Sequence, residues 1–175
     1  EPLRVVMKVR GEAPAWTVDP DLYENSKSIV GQIYANGVLM SNSESCVAAF
    51  IDGQCRGVAY IQPIRGAAFV TMSVYGTAMQ SVNGVMTELD NGKAVTFRIW
   101  DASKGVAYSN VNIVVPSSSQ QTEQQSSLLF NSSVTYGDFD KPVIFTKSNL
   151  MEQELKLKSG WNWMSLGVEP VDTKT

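Results

Sequence analysis

The sequence predicts an all-β protein, specifically an antiparallel β-sandwich, and three observations carry this prediction. Short apolar and β-branched runs recur along the chain, with turn residues between them at short intervals. No stretch has the 3.6-residue periodicity of an amphipathic helix. Two apolar runs flank Asp52-Gly53, the dipeptide that best tolerates the positive φ angles of a tight hairpin turn.

The hairpin around Asp52-Gly53 is the stretch around which the rest of the chain is organised. In the register set by a two-residue turn, Ala48 faces Gly57, and both faces of the hairpin are apolar. Such a hairpin is expected in the middle of a sheet. Arg56 is its polar exception, either a ligand-binding cation or, the favoured interpretation, a structural arginine paired with a nearby carboxylate.

The same register argues against a disulfide between the two cysteines of the chain. Cys46 is expected opposite Ala59 and Cys55 opposite Phe50, which separates the sulfur atoms by roughly 13 Å at ~3.3 Å per residue. A disulfide needs Cα atoms within roughly 7 Å of each other. The sequence therefore predicts two free, buried thiols that act as small hydrophobic side chains.

Strands on either side of the hairpin are predicted from period-two alternation, which in the strand 93–100 turns Val95, Phe97 and Ile99 inward. Residues 11–23 are expected to be irregular chain, and the Ser- and Gln-rich stretch 117–127 a long surface loop. The other predicted strands are 3–10, 28–34, 38–40, 67–75, 106–108, 111–115, 134–136, 143–146 and 151–157.

Composition bounds the class of protein. The 175 residues, 43% hydrophobic and 18% charged, suit one globular domain with a short appendage, here a module at 1–158 and a junction segment at 159–175. The net charge of −3 and the lack of a basic run disfavour nucleic acid as a partner. No apolar run approaches the roughly 18 residues needed for membrane insertion.

The start at Glu1, without Met or a signal-peptide pattern, suggests a processed piece.

The residue types present disfavour an enzyme. The chain has no histidine, which excludes Ser-His-Asp and Cys-His nucleophile pairs and histidine-containing zinc sites. No phosphate-binding loop or dinucleotide fingerprint is present. Carboxylates alone can catalyse glycoside hydrolysis, but nothing singles out an acid and base pair. The prediction is a non-catalytic module.

Asp138 and Asp140 form the most suggestive acidic cluster. Alternate residues of an extended chain point the same way, so the two carboxylates could share a calcium ion with loop carbonyls. The favoured alternative is that these aspartates shape a turn by accepting hydrogen bonds from nearby backbone amides. No cofactor other than calcium is suggested.

Exposed aromatic residues offer a second kind of site. Trp161 and Trp163 alternate, so on a strand both indoles lie on one face and form a platform for sugar rings. Trp100, beside Asp101 and Tyr75, offers a second candidate surface. The favoured alternative for each tryptophan is packing within this module or against its neighbour.

Five stretches of the chain carry a resemblance to a known kind of module. They are residues 16–20, 23–26, 48–59, 97–105 and 160–166, the last reading Gly-Trp-Asn-Trp-Met-Ser-Leu. Together they resemble an immunoglobulin-like module of secreted surface proteins from Bacteroidetes-type bacteria. The resemblance implies an immunoglobulin-like sandwich within a long exported protein, no catalytic residues, and a C-terminal junction strand that leads into a further segment.

These observations lead to one functional expectation and one alternative. The expectation is a non-catalytic module of an exported bacterial surface protein, extracellular or on the cell surface, that serves in adhesion or in spacing its neighbouring domains. Its partners would be those domains and a surface protein or glycan ligand. The alternative is a carbohydrate-binding module that uses exposed aromatic residues.

Overall fold

The computed structural model describes residues 11–77, 79–116, 124–131 and 134–147, and within them the fold is all-β. These ranges contain a single 3-10 turn, Pro20–Leu22, and no α-helix. The predicted strands 3–10 and 151–157 and the predicted junction segment 159–175 lie outside the described residues.

Fourteen strands are formed in the described ranges. They are β1 (Asn25–Ala35), β2 (Val38–Leu39), β3 (Cys46–Ile51), β4 (Gln54–Tyr60), β5 (Gln62–Ile64), β6 (Ala67–Gly76), β7 (Met79–Val82), β8 (Val85–Glu88), β9 (Ala94–Asp101), β10 (Val106–Tyr108), β11 (Val111–Val114), β12 (Gln124–Gln125), β13 (Leu128–Leu129) and β14 (Val143–Lys147).

The strands build two packed sheets and a separate hairpin. One sheet has seven strands in the order β12-β11-β14-β1-β6-β5, with β2 paired to β1. The other has five in the order β10-β9-β3-β4, with β13 paired to β9, while β7 and β8 pair only with each other. The two large sheets are mostly antiparallel, which confirms the coarse prediction of a β-sandwich.

The core forms where the inner faces of the two sheets meet. On β9, Val95, Phe97 and Ile99 are buried as the alternation predicts. The ring of Phe97 packs edge-on against Phe145 of the opposite sheet, with centroids 5.0 Å apart. On β3 the core residues are Val47, Ala49 and Ile51, again every second residue.

The central hairpin forms at the predicted turn, but its register shifts by one residue at Arg56. Asp52 and Gly53 have φ values of 51° and 76°, and Phe50 pairs with Cys55 as expected. Ala49 then pairs with Gly57, so Arg56 is the extra residue of a β-bulge. The prediction that Ala48 faces Gly57 is therefore wrong by one residue, because alternation alone does not reveal a bulge.

Both thiols are free, as predicted. The bulge places Cys46 opposite Tyr60 rather than Ala59. Cys46 is buried and Cys55 half-buried, so the prediction of full burial fits only the first. Burial, helped by the nearby Cys55, raises the pKa of the Cys46 thiol to about 11. Burial also raises the pKa of the Cys55 thiol. Neither thiol is therefore suited to act as a nucleophile near neutral pH.

The C-terminal half departs from the predicted pattern in three places. Strand β14 runs parallel to β1, so the sheet is not purely antiparallel. After β13 in the five-stranded sheet, the chain meets β1 at Ile29 through Tyr136 and enters β14 opposite Gly31, so it follows β1 in the same direction. Residues 134–136 form no strand, only a parallel bridge from Tyr136 to Ile29. Gln124–Gln125, expected in a loop, pairs with β11.

Residues 11–23, the N-terminal segment, cross the outer face of the five-stranded sheet. The amide of Gly11 donates to the carbonyl of Gly105 over 2.9 Å, and Trp16 packs edge-on against Phe50, with centroids 5.9 Å apart. Strand β3 is consequently buried on both faces, one in the core and the other under this segment. The apolar character of both faces of β3, noted in the sequence, has this origin.

Candidate functional site

The structure places Trp100 and Asp101 inside the fold rather than on an open surface. Trp100 is 7% exposed and Asp101 2% exposed. Trp100 lies on the outer face of β9, within reach of the N-terminal segment at Gly11. One oxygen of Asp101 accepts hydrogen bonds from Ser103 and from the amide of Lys104, which shapes the turn into β10. Neither residue offers a stacking surface to a ligand.

The other predicted aromatic residues lie elsewhere. Tyr75 does not accompany Trp100 but stacks on Tyr23, with ring centroids 6.3 Å apart. Trp161 and Trp163 lie outside the described residues, so the platform predicted for them stays a prediction.

Asp138 and Asp140 are exposed and belong to a turn. Asp138 Oδ1 accepts hydrogen bonds from the amides of Asp140 and Lys141 at 2.8 and 2.7 Å. Asp140 lies 3.9 Å from the guanidinium of Arg65. This is the arrangement of the turn interpretation. In the described ranges, no group of three or more Cys, Asp or Glu side chains is placed to hold a metal ion.

The charged groups that the fold does bring together form a cluster around Arg56 and Asp90, which we call the edge clamp. Both side chains are buried, and Arg56 NH1 lies 2.6 Å from Asp90 Oδ2. The same nitrogen donates to the carbonyl of Tyr75 on β6, 3.3 Å away. Asp90 also accepts from the amide of Thr77 at 2.5 Å. The edge clamp thus joins β4 of one sheet to the end of β6 in the other.

The electrostatics of the edge clamp favour a permanently ionised carboxylate. Burial alone would raise the pKa of Asp90, but hydrogen bonds from Arg56, Thr77 and Lys93 outweigh it and lower this pKa from 3.8 to about 2. Lys93 also bonds Asp52 over 2.9 Å, and its bonds to Asp52 and Asp90 raise the pKa of Lys93. The cluster has the character of a structural ion pair, not of a proton-transfer site.

The structural interpretation of Arg56 is therefore confirmed, although the sequence did not identify its partner. Asp90 lies 34 residues further along the chain, directly before the turn dipeptide Asn91-Gly92, and nothing in that turn indicates a partner for Arg56. The β-bulge supplies the missing information, because an extra residue re-aims the side chain of Arg56 toward the sheet edge. Its guanidinium also lies 4.6 Å from the ring centroid of Tyr23, which ties in the N-terminal segment.

A second feature is the seam between β1 and β14. Gly31 pairs with Val143 and Tyr34 with Thr146, so the two strands run in the same direction. The first residue of β1 and the last residue of β14 consequently lie at opposite ends of the pair. Val143 and Phe145 are fully buried on the core side of this seam, which anchors β14 between β1 and β11.

A third feature is an open groove of about 480 Å³ on the outer face of the seven-stranded sheet. It crosses β1, β14 and β11, and we call it the outer groove. Its lining combines one aromatic ring with amide, hydroxyl and amino groups. The polar and aromatic lining residues are Tyr34, Asn36, Asn112, Gln124, Thr146 and Lys147.

The register explains how these side chains come together. Tyr34 and Asn112 are both cross-strand partners of Thr146, one from each side. Their side chains therefore project side by side from the same face of the sheet, at the ~4.8 Å spacing of neighbouring strands. The alternate residues Ile33, Ile113 and Phe145 point into the core. The sequence predicted these three strands but gave no sign that their outward residues line one groove.

Comparison with family models, curated proteins and solved structures gives no match to this chain. Within the described residues, no helix has the length and apolarity needed to cross a bilayer.

Proposed function

We propose that this chain is a non-catalytic, immunoglobulin-like module of an exported bacterial surface protein, where it serves in adhesion or in spacing its neighbouring domains. Both roles require a module to carry tension along the chain without unfolding. The observation that carries the proposal is the parallel seam between β1 and β14.

The seam is oriented to resist tension. A pull on residue 24, just before β1, and on Lys147, at the end of β14, would draw the two strands in opposite directions along their length. The hydrogen bonds between parallel strands are evenly spaced, so a sliding force loads all of them together. A force that opens a pair from one end breaks them one after another and meets less resistance.

The edge clamp supports the same role. It ties β4 of the five-stranded sheet to β6, the antiparallel partner of β1 in the seven-stranded sheet. A buried pair adds little net stability over apolar residues, but removal of one partner leaves a costly unpaired charge. The pair therefore holds the two sheets in one arrangement at the end of the sandwich where β1 begins.

Single-molecule force spectroscopy tests the proposal on the intact fold. Handles are attached to introduced cysteines in a Cys46→Ala/Cys55→Ala background, in two pairs. Glu24→Cys with Lys147→Cys loads the seam by sliding, whereas Ala35→Cys with Lys147→Cys loads the same seam from one end. The expected result is a clearly higher unfolding force for the first pair.

The two handle pairs load the same seam of the same fold, and thermal unfolding of each variant shows whether their stabilities match, so the comparison isolates the direction of loading. Equal unfolding forces in the two directions would overturn the load-bearing role. Loss of folding in either double-cysteine protein is checked beforehand by thermal unfolding, and handles at Ser26, the exposed second residue of β1, replace those at Glu24 if needed.

Carbohydrate binding is the second candidate function, and the outer groove favours it. The aromatic residue that supports it is Tyr34, since Trp100 is buried.

A further inference from the structure

We propose that the outer groove is a glycan-binding site for neutral sugars, with Tyr34 as the stacking platform. This function goes beyond load-bearing and does not depend on it. The outer groove has a volume of about 480 Å³, which is within the range of small-ligand sites and accommodates a short oligosaccharide.

The chemistry of the lining matches a pyranose ring. A sugar has a flat apolar face of C–H groups and a rim of hydroxyls that both donate and accept hydrogen bonds. Tyr34 offers an aromatic surface for the first. The side-chain amides of Asn112 and Gln124, which make no hydrogen bond within the described residues, each offer donors and an acceptor for the second.

The place of the groove in the sheet argues against a peptide strand as the ligand. Peptides commonly bind sheets by adding a strand to an edge, where backbone groups are unpaired. The groove crosses β14, which is already paired with β1 on one side and β11 on the other. Only side chains are available there, and a ligand recognised through side-chain amides, a hydroxyl and a ring is a sugar rather than a strand.

The charge of the lining selects among sugars. Among its described residues, Lys147 is the one charged group, and no carboxylate is present. Lys147 has the strand parity of Phe145 and pairs with the buried Val111, so its side chain leaves the sheet on the core side, opposite to Tyr34. Its ammonium lies 4.8 Å from the ring centroid of Tyr108, on β10 of the other sheet. The outer groove therefore presents neutral polar groups, which suit a neutral sugar.

The test is a binding screen of the whole chain against immobilised oligosaccharides, neutral gluco- and manno-oligosaccharides beside oligogalacturonides. The expected result is binding of the neutral oligosaccharides that salt leaves unchanged, with the oligogalacturonides bound no more tightly. Tyr34→Ala should weaken binding by about tenfold or more through loss of stacking, while Tyr34→Phe should retain it.

Tyr60→Ala is the matched control, since Tyr60 is a 51% exposed tyrosine on β4 of the other sheet. It should bind as the unmodified chain does. If Tyr34→Ala does not fold, Gln124→Ala tests the same groove from an exposed residue and should weaken binding severalfold. The proposal is overturned if no sugar binds, or if binding survives both Tyr34→Ala and Gln124→Ala, as it would if another aromatic surface carried it.

Discussion

The outer face of one sheet is covered by other parts of the chain, whereas the outer face of the other sheet is open. That of the five-stranded sheet is covered by the N-terminal segment, so Phe50 and Trp100 are 5% and 7% exposed. That of the seven-stranded sheet keeps a groove at Tyr34 and Thr146. The difference follows from the sequence of the strands, since an apolar outward side chain needs a cover and a polar one does not. The covered face contributes to stability and the open face is available for recognition.

The largest effect is expected on the covered face. Trp100→Ala should lower the free energy of unfolding by about 3–5 kcal/mol, because it removes a large buried side chain and leaves a cavity under the N-terminal segment. Urea unfolding measures the change, and the exposed Tyr60→Ala serves as its control. A loss below about 1 kcal/mol would mean that the segment does not cover Trp100 in solution.

A smaller effect is expected at the edge where the two sheets meet. The pKa of Asp90 is lowered from 3.8 to about 2 in the folded protein, so its ionised form contributes about 2 kcal/mol. Because the pKa of Asp90 is lower in the folded protein than in the unfolded chain, this contribution to stability is present above about pH 4 and is lost as the pH falls through about 2.

Unfolding free energies measured between about pH 5 and pH 2 test this prediction. The unmodified chain should lose stability on acidification, and Asp90→Asn should show a flatter curve from a lower starting value, since Arg56 is left buried without its partner. Parallel curves for the two proteins would show that Asp90 does not provide the pH dependence.

The covered face shows how far sequence reasoning reaches. Alternation on β9 and the Asp52-Gly53 dipeptide are local signals, and the inward residues and the turn that they predict are both confirmed. The bulge at Arg56 and the parallel entry of β14 depend on contacts between distant parts of the chain, which no local pattern contains. The apolar outer face of β3 was recognised, but its cover is an irregular segment whose path depends on where Trp16 finds Phe50.

Among the candidate sites too, local contacts are predictable from the sequence and contacts between distant residues are not. Asp138 was correctly considered as a turn residue, because its hydrogen bonds run to amides within three positions. The outer groove was not predicted, because it collects residues from four strands and one turn that lie far apart in sequence. Polar residues at outward positions are common on any open sheet, so only the register shows that Tyr34, Thr146 and Asn112 are neighbours.

A smaller loss of stability than at Asp90 is expected where the packing of the N-terminal segment itself is weakened. Trp16→Ala removes the edge-on contact to Phe50 and should cost about 1 kcal/mol. It should also speed the reaction of Cys46 with a thiol reagent, because burial is the main reason for its raised pKa. Leu22→Ala, in the same segment but 67% exposed, is the control and should leave both values unchanged.

The smallest effect is expected on the open face. Tyr34→Ala should lower the free energy of unfolding by less than about 1 kcal/mol, because the ring is only half-buried and its removal leaves no closed cavity. Urea unfolding beside Trp100→Ala gives the comparison directly. A cost as large as that of Trp100→Ala would mean that another part of the chain covers Tyr34, and the outer groove would then be closed to a sugar. A small cost leaves the aromatic ring free to bind one.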